Sequence, residues 1–221
     1  MAILRTNIFF SAAFFGALFF LATASPAVAH VPNMVTQETL KDIVLIEDPG
    51  LSQAFYGDMA GFPHTFEIRA EDPFLLFVRI LIPDISSSKD NISGIVIKEN
   101  PEGGRVEEVA RLSLKSAWPS EYELFGGDTY RMGPIFEGEV GSGVYRIEVS
   151  TPDNHEKYVL VVGKREEMTI GYFELLGRLA DIKAFFGKSK FRVVESPYVY
   201  VPILAILLLG YILYRRRLGR G

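Results

Sequence analysis

The 221-residue chain contains no cysteine, only three histidines and a single tryptophan. Without Cys there is no disulfide framework, no thiolate metal site, no cysteine nucleophile and no lipid-modified cysteine at an export site. His30, His64 and His155 leave little material for a histidine-based triad. The sequence also lacks a Gly-x-Ser-x-Gly elbow, a phosphate-binding Gly-rich loop, a His-Glu-x-x-His pair and a dinucleotide fingerprint, so no enzymatic signature stands out. Basic excess is missing as well. The net charge is −4, which argues against a nucleic-acid partner. Internal repeats and polar low-complexity tracts are absent, and with 48% hydrophobic and 23% charged residues the chain suits one folded domain with accessory segments.

What the chain has in excess is apolar character, with a mean hydropathy of +0.19 concentrated at its two ends. Arg5 precedes an apolar run from Ile8 to Ala24, Ser25-Pro26 breaks it, and Ala27-Val28-Ala29 supplies the small residues that signal peptidase requires. Residues 1–29 therefore read as a signal peptide with the mature chain starting at His30; an uncleaved anchor is the competing reading. Ser196 to Tyr214 is free of charge and long enough to approach the ~30 Å hydrocarbon thickness. Tyr198 and Tyr214 mark its borders as interfacial aromatics, and Arg215, Arg216 and Arg217 open a basic tail, residues 215–221. Lys183, Lys188, Lys190 and Arg192 lie on the near side of the span, so the positive-inside count is nearly balanced and the signal peptide decides type I topology. Between the ends, residues 30–197 hold 18 Lys/Arg against 27 Asp/Glu, an acidic exported domain.

Residues 30–165 read as all-β. His64 to Arg69 alternates polar and apolar residues, Phe74 to Ile82 is a nearly continuous apolar run, and Gly94–Glu99 and Arg105–Leu112 flank the turn Pro101-Glu102-Gly103-Gly104. Tyr145, Ile147 and Val149 alternate with Arg146 and Glu148, and Tyr158–Val162 follows a further turn. Roughly eight short strands without an intervening helix give an antiparallel β-sandwich, jelly-roll-like. In residues 166–195 the period changes: Tyr172, Leu175, Leu176, Leu179, Ile182 and Phe186 form one face of a helix, with Glu174, Arg178, Asp181 and Lys183 opposite. This juxtamembrane helix either packs on the β-domain or lies in the headgroup region; Phe185-Phe186 and the basic end favour the membrane.

Three candidate sites emerge. Cleavage after Ala29 would give His30 a free α-amine beside its imidazole, a chelating pair for copper. In this the chain is similar to the copper-resistance C-type carriers and the copper-dependent polysaccharide oxygenases; Asp153 with His155 resembles the second ligand set of the carriers, and the alternative is a terminal residue and a turn residue. Asp84, Ser86, Ser88, Asp90 and Asn91 offer oxygens for calcium, but without the Gly and Glu of an EF-hand the loop reads rather as a plain strand connection. Trp118, Tyr122 and Tyr130 suit a stacking platform for sugar rings, against core packing as the alternative. Asn91-Ile92-Ser93 is a glycosylation sequon.

The export signal ending before His30, Asp48-Pro49 with Phe55-Tyr56-Gly57, Pro63-His64, Gly143-Val144-Tyr145, Lys157-Tyr158-Val159-Leu160 with Gly163, and a helix before the final span form a pattern. It resembles bacterial and archaeal membrane-anchored surface proteins with a β-sandwich ectodomain and no assigned activity. Gly143 to Gly163 is also loosely similar to pre-peptidase C-terminal domains. The resemblance implies fold and location. The expectation is a single-pass, extracytoplasmic binding or scaffolding module with no catalytic activity and no required cofactor, partnered by membrane lipid and an envelope or surface protein. A copper-binding protein using His30 and a carbohydrate-binding domain are the alternatives.

Overall fold

The computed structural model describes residues 30–89, 91–100, 105–113, 118–167 and 170–219. The expected signal peptide, the turn at 101–104, Asp90 and Arg220 lie outside the described residues.

Among the described residues eleven strands form two sheets: β1 (Val31–Met34), β2 (Ile43–Ile46), β3 (Gln53–Asp58), β4 (His64–Ala70), β5 (Phe74–Pro83), β6 (Ser93–Glu99), β7 (Val106–Leu112), β8 (Ser120–Glu123), β9 (Asp128–Val140), β10 (Gly143–Ser150) and β11 (Lys157–Val162). Sheet A runs β1-β3-β11-β5-β9-β8 and sheet B runs β2-β4-β10-β6-β7. The two-residue period of β5 explains their stacking. Leu76, Val78, Ile80 and Ile82 point to one side and are fully buried against Phe66 and Ile68 of β4, Val96 of β6 and Tyr145, Ile147 and Val149 of β10. Each such side chain contributes about 1.5–3 kcal/mol of burial, which makes this layer the main core. Trp118 belongs to it, lying so close over Gly133 that an added Cβ there would stand 2.6 Å from the indole.

Most pairings are antiparallel, as the pattern suggests, including β6 with β7 across the turn at 101–104. Two are not. β1 pairs parallel with β3 and β2 parallel with β4, so the sheets are mixed and carry more strands than the alternation alone reveals. Both extra strands are four-residue edges, too short to show a period, and β1 carries Pro32, which an edge tolerates because it needs no second ladder.

Helix α1 (Tyr172–Phe185) takes the first of the two expected positions, on the β-domain. It covers part of the outer face of sheet A, where Leu175, Leu179, Ile182, Phe185 and Phe186 meet Ala54, Tyr56, Leu81, Tyr130, Val159 and Val161 in a second apolar cluster. Lys183, assigned by periodicity to the solvated side, is fully buried. Its ammonium donates to the Glu195 carboxylate at 2.8 Å and the Gly127 carbonyl at 3.0 Å, and stands 3.0 Å from the buried Asp128 Oδ2 as an ion pair without hydrogen-bond geometry. The basic cluster that suggested anionic lipid is internally paired: Lys188 with Asp128, Lys190 with Asp181 and Arg192 with Glu195.

A six-residue 3-10 helix (Lys190–Glu195) leads into α2 (Pro197–Leu218), which starts with Pro at its first position, where the missing N–H costs nothing. At 22 residues and about 1.5 Å each, α2 is long and apolar enough to cross a membrane, and only 11% of its apolar window is buried within the molecule. Tyr198 is tied to the folded module at the start of this helix. Its ring packs edge-on against Phe125 with centroids 5.3 Å apart, and its carbonyl accepts a hydrogen bond from the Tyr172 hydroxyl. Tyr214 is exposed beside Arg215, Arg216 and Arg217, and Arg215 stacks over Tyr211.

A candidate binding cavity on the outer face of sheet A

Side-chain alternation gives sheet A a second face, formed by Ala54 and Tyr56 of β3, Phe77, Arg79 and Leu81 of β5, Tyr130 and Met132 of β9 and Val159 and Val161 of β11. Helix α1 covers part of this face, with Phe185 edge-on to Tyr56 and Phe186, just past its end, edge-on to Tyr130. The remainder is left open as a concavity of about 340 Å³, walled by His30, Ser52, Glu123 and Phe125 and rimmed by Lys164 and Glu166. No residue of α1 lines it.

Its polar groups are few and mostly committed. The Tyr56 and Tyr130 hydroxyls share a hydrogen bond at 3.1 Å, and burial pushes both phenols upward, keeping them protonated. Glu123 accepts the backbone N–H groups of Phe125 and Gly126 at 2.5 and 2.8 Å; burial still raises its carboxyl above the ordinary range. The His30 ring hydrogen-bonds to the Ser52 hydroxyl, and burial, reinforced by the Arg79 charge, lowers its pKa to about 4, so the imidazole is neutral near neutral pH. Arg79 is the exception. It is the one charged side chain on β5, its Nε is buried without an acceptor, and among the described residues no carboxylate forms an ion pair with it. Ser52 and His30 set one hydroxyl beside a neutral imidazole, and among the described residues no carboxylate hydrogen-bonds to that ring. The cavity offers an apolar floor with one uncommitted cation.

The sequence-derived sites fare differently. His30 abuts Ser52 at the start of β3, whereas His155 lies beside Gly61 beyond its end, about 20 Å away along six extended residues. His64 is buried between the sheets and hydrogen-bonds the Tyr158 hydroxyl at 2.8 Å. Asp153 and His155 are neighbours, the imidazole Nδ1–H donating to the Asp153 carbonyl, but His30 does not join them; no cluster of three metal-binding side chains occurs among the described residues. In the Asp84 loop, the Asp84 carboxylate accepts from Ser120 and faces Arg131, the Ser88 hydroxyl donates to the Pro83 carbonyl, and the Asn91 Oδ1 is buried without a hydrogen-bond partner. Asp90 lies outside the described residues. The stacking platform does not assemble either. Trp118 is in the inter-sheet core, Tyr130 is on the opposite face of sheet A, and only Tyr122 is exposed. Arg79, the distinctive residue of the cavity, was visible as the single charge inside the run Phe74–Ile82, a signal concealed by the apolar residues around it.

Comparisons with known proteins give a fold-level likeness. No family model and no curated protein sequence matches the chain. Among solved structures, the pre-peptidase C-terminal domain of a collagenase from Bacillus anthracis is 9% identical with a TM-score of 0.36, covering 57% of this chain and 98% of that one. The mitogen from Yersinia pseudotuberculosis is 11% identical at a TM-score of 0.34, covering 53% and 90%. The Eiger TNF structure from S. frugiperda is 16% identical at 0.22, covering 47% and 65%. The chain's own sheets make it a β-rich, two-sheet fold, and they are followed by a helix long and apolar enough to cross a membrane.

Proposed function

We propose that the protein is a membrane-anchored, extracytoplasmic binding module without catalytic activity of its own, exported by residues 1–29 and held by α2 in type I orientation. The observation that carries this reading is the continuity between the folded module and an uncovered apolar helix. Tyr198 and Val199 belong to the α1 cluster, while Leu204, Ile206 and Leu207, a turn or two later, are 59%, 69% and 62% exposed. Such a surface is stable in hydrocarbon and not in water.

The segment just before the span supports lipid as the immediate neighbour. Phe173 and Phe191 are 86% and 89% exposed, and the Tyr172–Tyr198 hydrogen bond places the start of α1 beside the start of α2. These rings lie where the bilayer interface would meet the module and can enter it, replacing the role first assigned to the basic cluster. Membrane fractionation with carbonate washing, protease protection and N-terminal sequencing test the reading together. A chain retained in the membrane, cut only from outside and starting at His30 supports it; a chain released by carbonate overturns the anchor.

A further inference from the structure

The cavity on sheet A combines two features that packing alone does not explain: an open apolar floor and a guanidinium at its centre. The nearest neighbours of Arg79 on its own strand and the next, Phe77, Leu81, Val159 and Val161, are apolar. An arginine there gives up hydration, and its Nε gains no acceptor in exchange. The carboxylates around it are otherwise engaged or distant. Glu123 is bound by its own turn, Glu137 by Lys164 at 2.9 Å, Glu166 stands exposed at the rim, and Glu121 acts on Arg79 only as a longer-range charge.

We propose that this cavity binds a small amphipathic monocarboxylate, its head paired with the Arg79 guanidinium and its hydrocarbon body lying on Ala54, Phe77, Val161 and Met132. The planar guanidinium fork matches a carboxylate in a two-point hydrogen-bonded pair. The size follows from volume: a dry 150 Å³ cavity accepts benzene, or about 25 Å³ per heavy atom, so about 340 Å³ accommodates roughly a dozen heavy atoms. A dianionic phosphate fits poorly, because Glu123 and Glu166 face the same space and only one uncommitted cation is present. A sugar fits no better, since the two tyrosine hydroxyls bond each other and the Ser52 hydroxyl is taken by His30.

The inference deepens the binding-module reading by naming the ligand class, and its test is independent of anchoring. The full chain in phosphatidylcholine nanodiscs is dialysed against radiolabelled octanoate, with empty nanodiscs subtracting uptake by lipid. One saturable equivalent per chain is expected, with octanol binding weaker. Arg79→Met should weaken octanoate at least tenfold while leaving octanol unchanged, Arg79→Lys should retain part of the affinity, and Ala54→Leu, which fills the floor, should weaken both. Thermal unfolding without ligand separates site from scaffold: Arg79→Met should melt at the same temperature as the parent or higher. No saturable uptake above empty discs, unchanged octanoate binding by Arg79→Met, or a lower melting temperature for that variant would each overturn the proposal. Failure of the anchor would appear instead as carbonate release, whatever the dialysis shows.

Discussion

Replacing Lys183 by Met removes the charge that holds α1, β9 and the 3-10 helix together, and the structure sets the scale of the loss. Lys183 and Asp128 are both fully buried, and the ammonium has three oxygens within 3.0 Å. Methionine fills nearly the same volume, so the cost comes from the stranded carboxylate rather than from a cavity. Breaking a buried pair in this way costs about 3–5 kcal/mol, because the remaining charge keeps its desolvation penalty. Lys188, bonded to Asp128 at 2.6 Å and partly exposed, retains some compensation and places the expected loss near the lower end, about 3 kcal/mol. For a chain of this size that corresponds to roughly 6–12 °C in melting temperature. The assay is thermal unfolding in nanodiscs, read by the near-ultraviolet signal of the single Trp118 in the inter-sheet core. Adding Asp128→Asn to Lys183→Met removes the stranded charge and should recover at least half of the loss, a coupling that a double-mutant cycle measures. A Lys183→Met protein within about 1 kcal/mol of the parent would refute the reasoning, as would an Asp128→Asn addition that made matters worse.

Other outcomes follow from single contacts. The His30 pKa is lowered to about 4 from 6.5, chiefly by burial, so between those values the unfolded chain binds a proton that the folded chain excludes; stability should fall as pH drops from 6.5 to about 4, and His30→Gln should flatten that slope in pH-dependent melts. Glu195 is shifted the other way, held below 4.5 first by its hydrogen bond from Lys183; its contribution is complete above pH 4.5 and disappears as pH falls through the lower folded value, so Glu195→Gln should lose stability at pH 7 and converge with the parent in acid. Phe191→Trp should be quenched by brominated phosphatidylcholine in the bilayer, whereas Trp118, 8% exposed, should not; equal quenching would contradict the placement of the 3-10 helix. Gly133→Ala places a Cβ 2.3 Å from the Ile80 carbonyl oxygen and should destabilise by about 1–3 kcal/mol in urea titration, with a changed Trp118 signal.

Much of the fold is legible because the strands obey their two-residue period over seven or more positions. Phe66 with Ile68, and Tyr145 with Ile147 and Val149, show their buried face directly, and Phe74–Ile82 is continuous because both of its faces are covered, one by sheet B and the other in part by α1. The four-residue edges β1 and β2 carry too few residues to show a pattern, and parallel pairing depends on chain crossovers that local composition does not encode. Lys183 illustrates a different limit. Periodicity assigns charge to the solvent side, yet the helix turns this lysine inward because Asp128 and Glu195, far apart in sequence, meet it there. The candidate sites were harder still. Trp118, Tyr122 and Tyr130 lie within 13 positions of one another, but alternation and chain reversal distribute them over different surfaces of sheet A. Conversely, His30, Arg79 and Glu123 converge from three separate strand ends and interiors, a proximity that no spacing motif records.

The way Tyr198 and Val199 join the α1 cluster determines how the module moves. A domain on a flexible linker sweeps a hemisphere and meets partners at many heights, with a local concentration set by linker length. Here the first turn of the spanning helix is part of the domain, so the pair behaves as a head on a stiff neck. In the anchored arrangement proposed above, tilting the helix would swing the whole sandwich and carry the mouth of the cavity with it, and a lateral force on the head would be delivered to the spanning helix with little lost in slack.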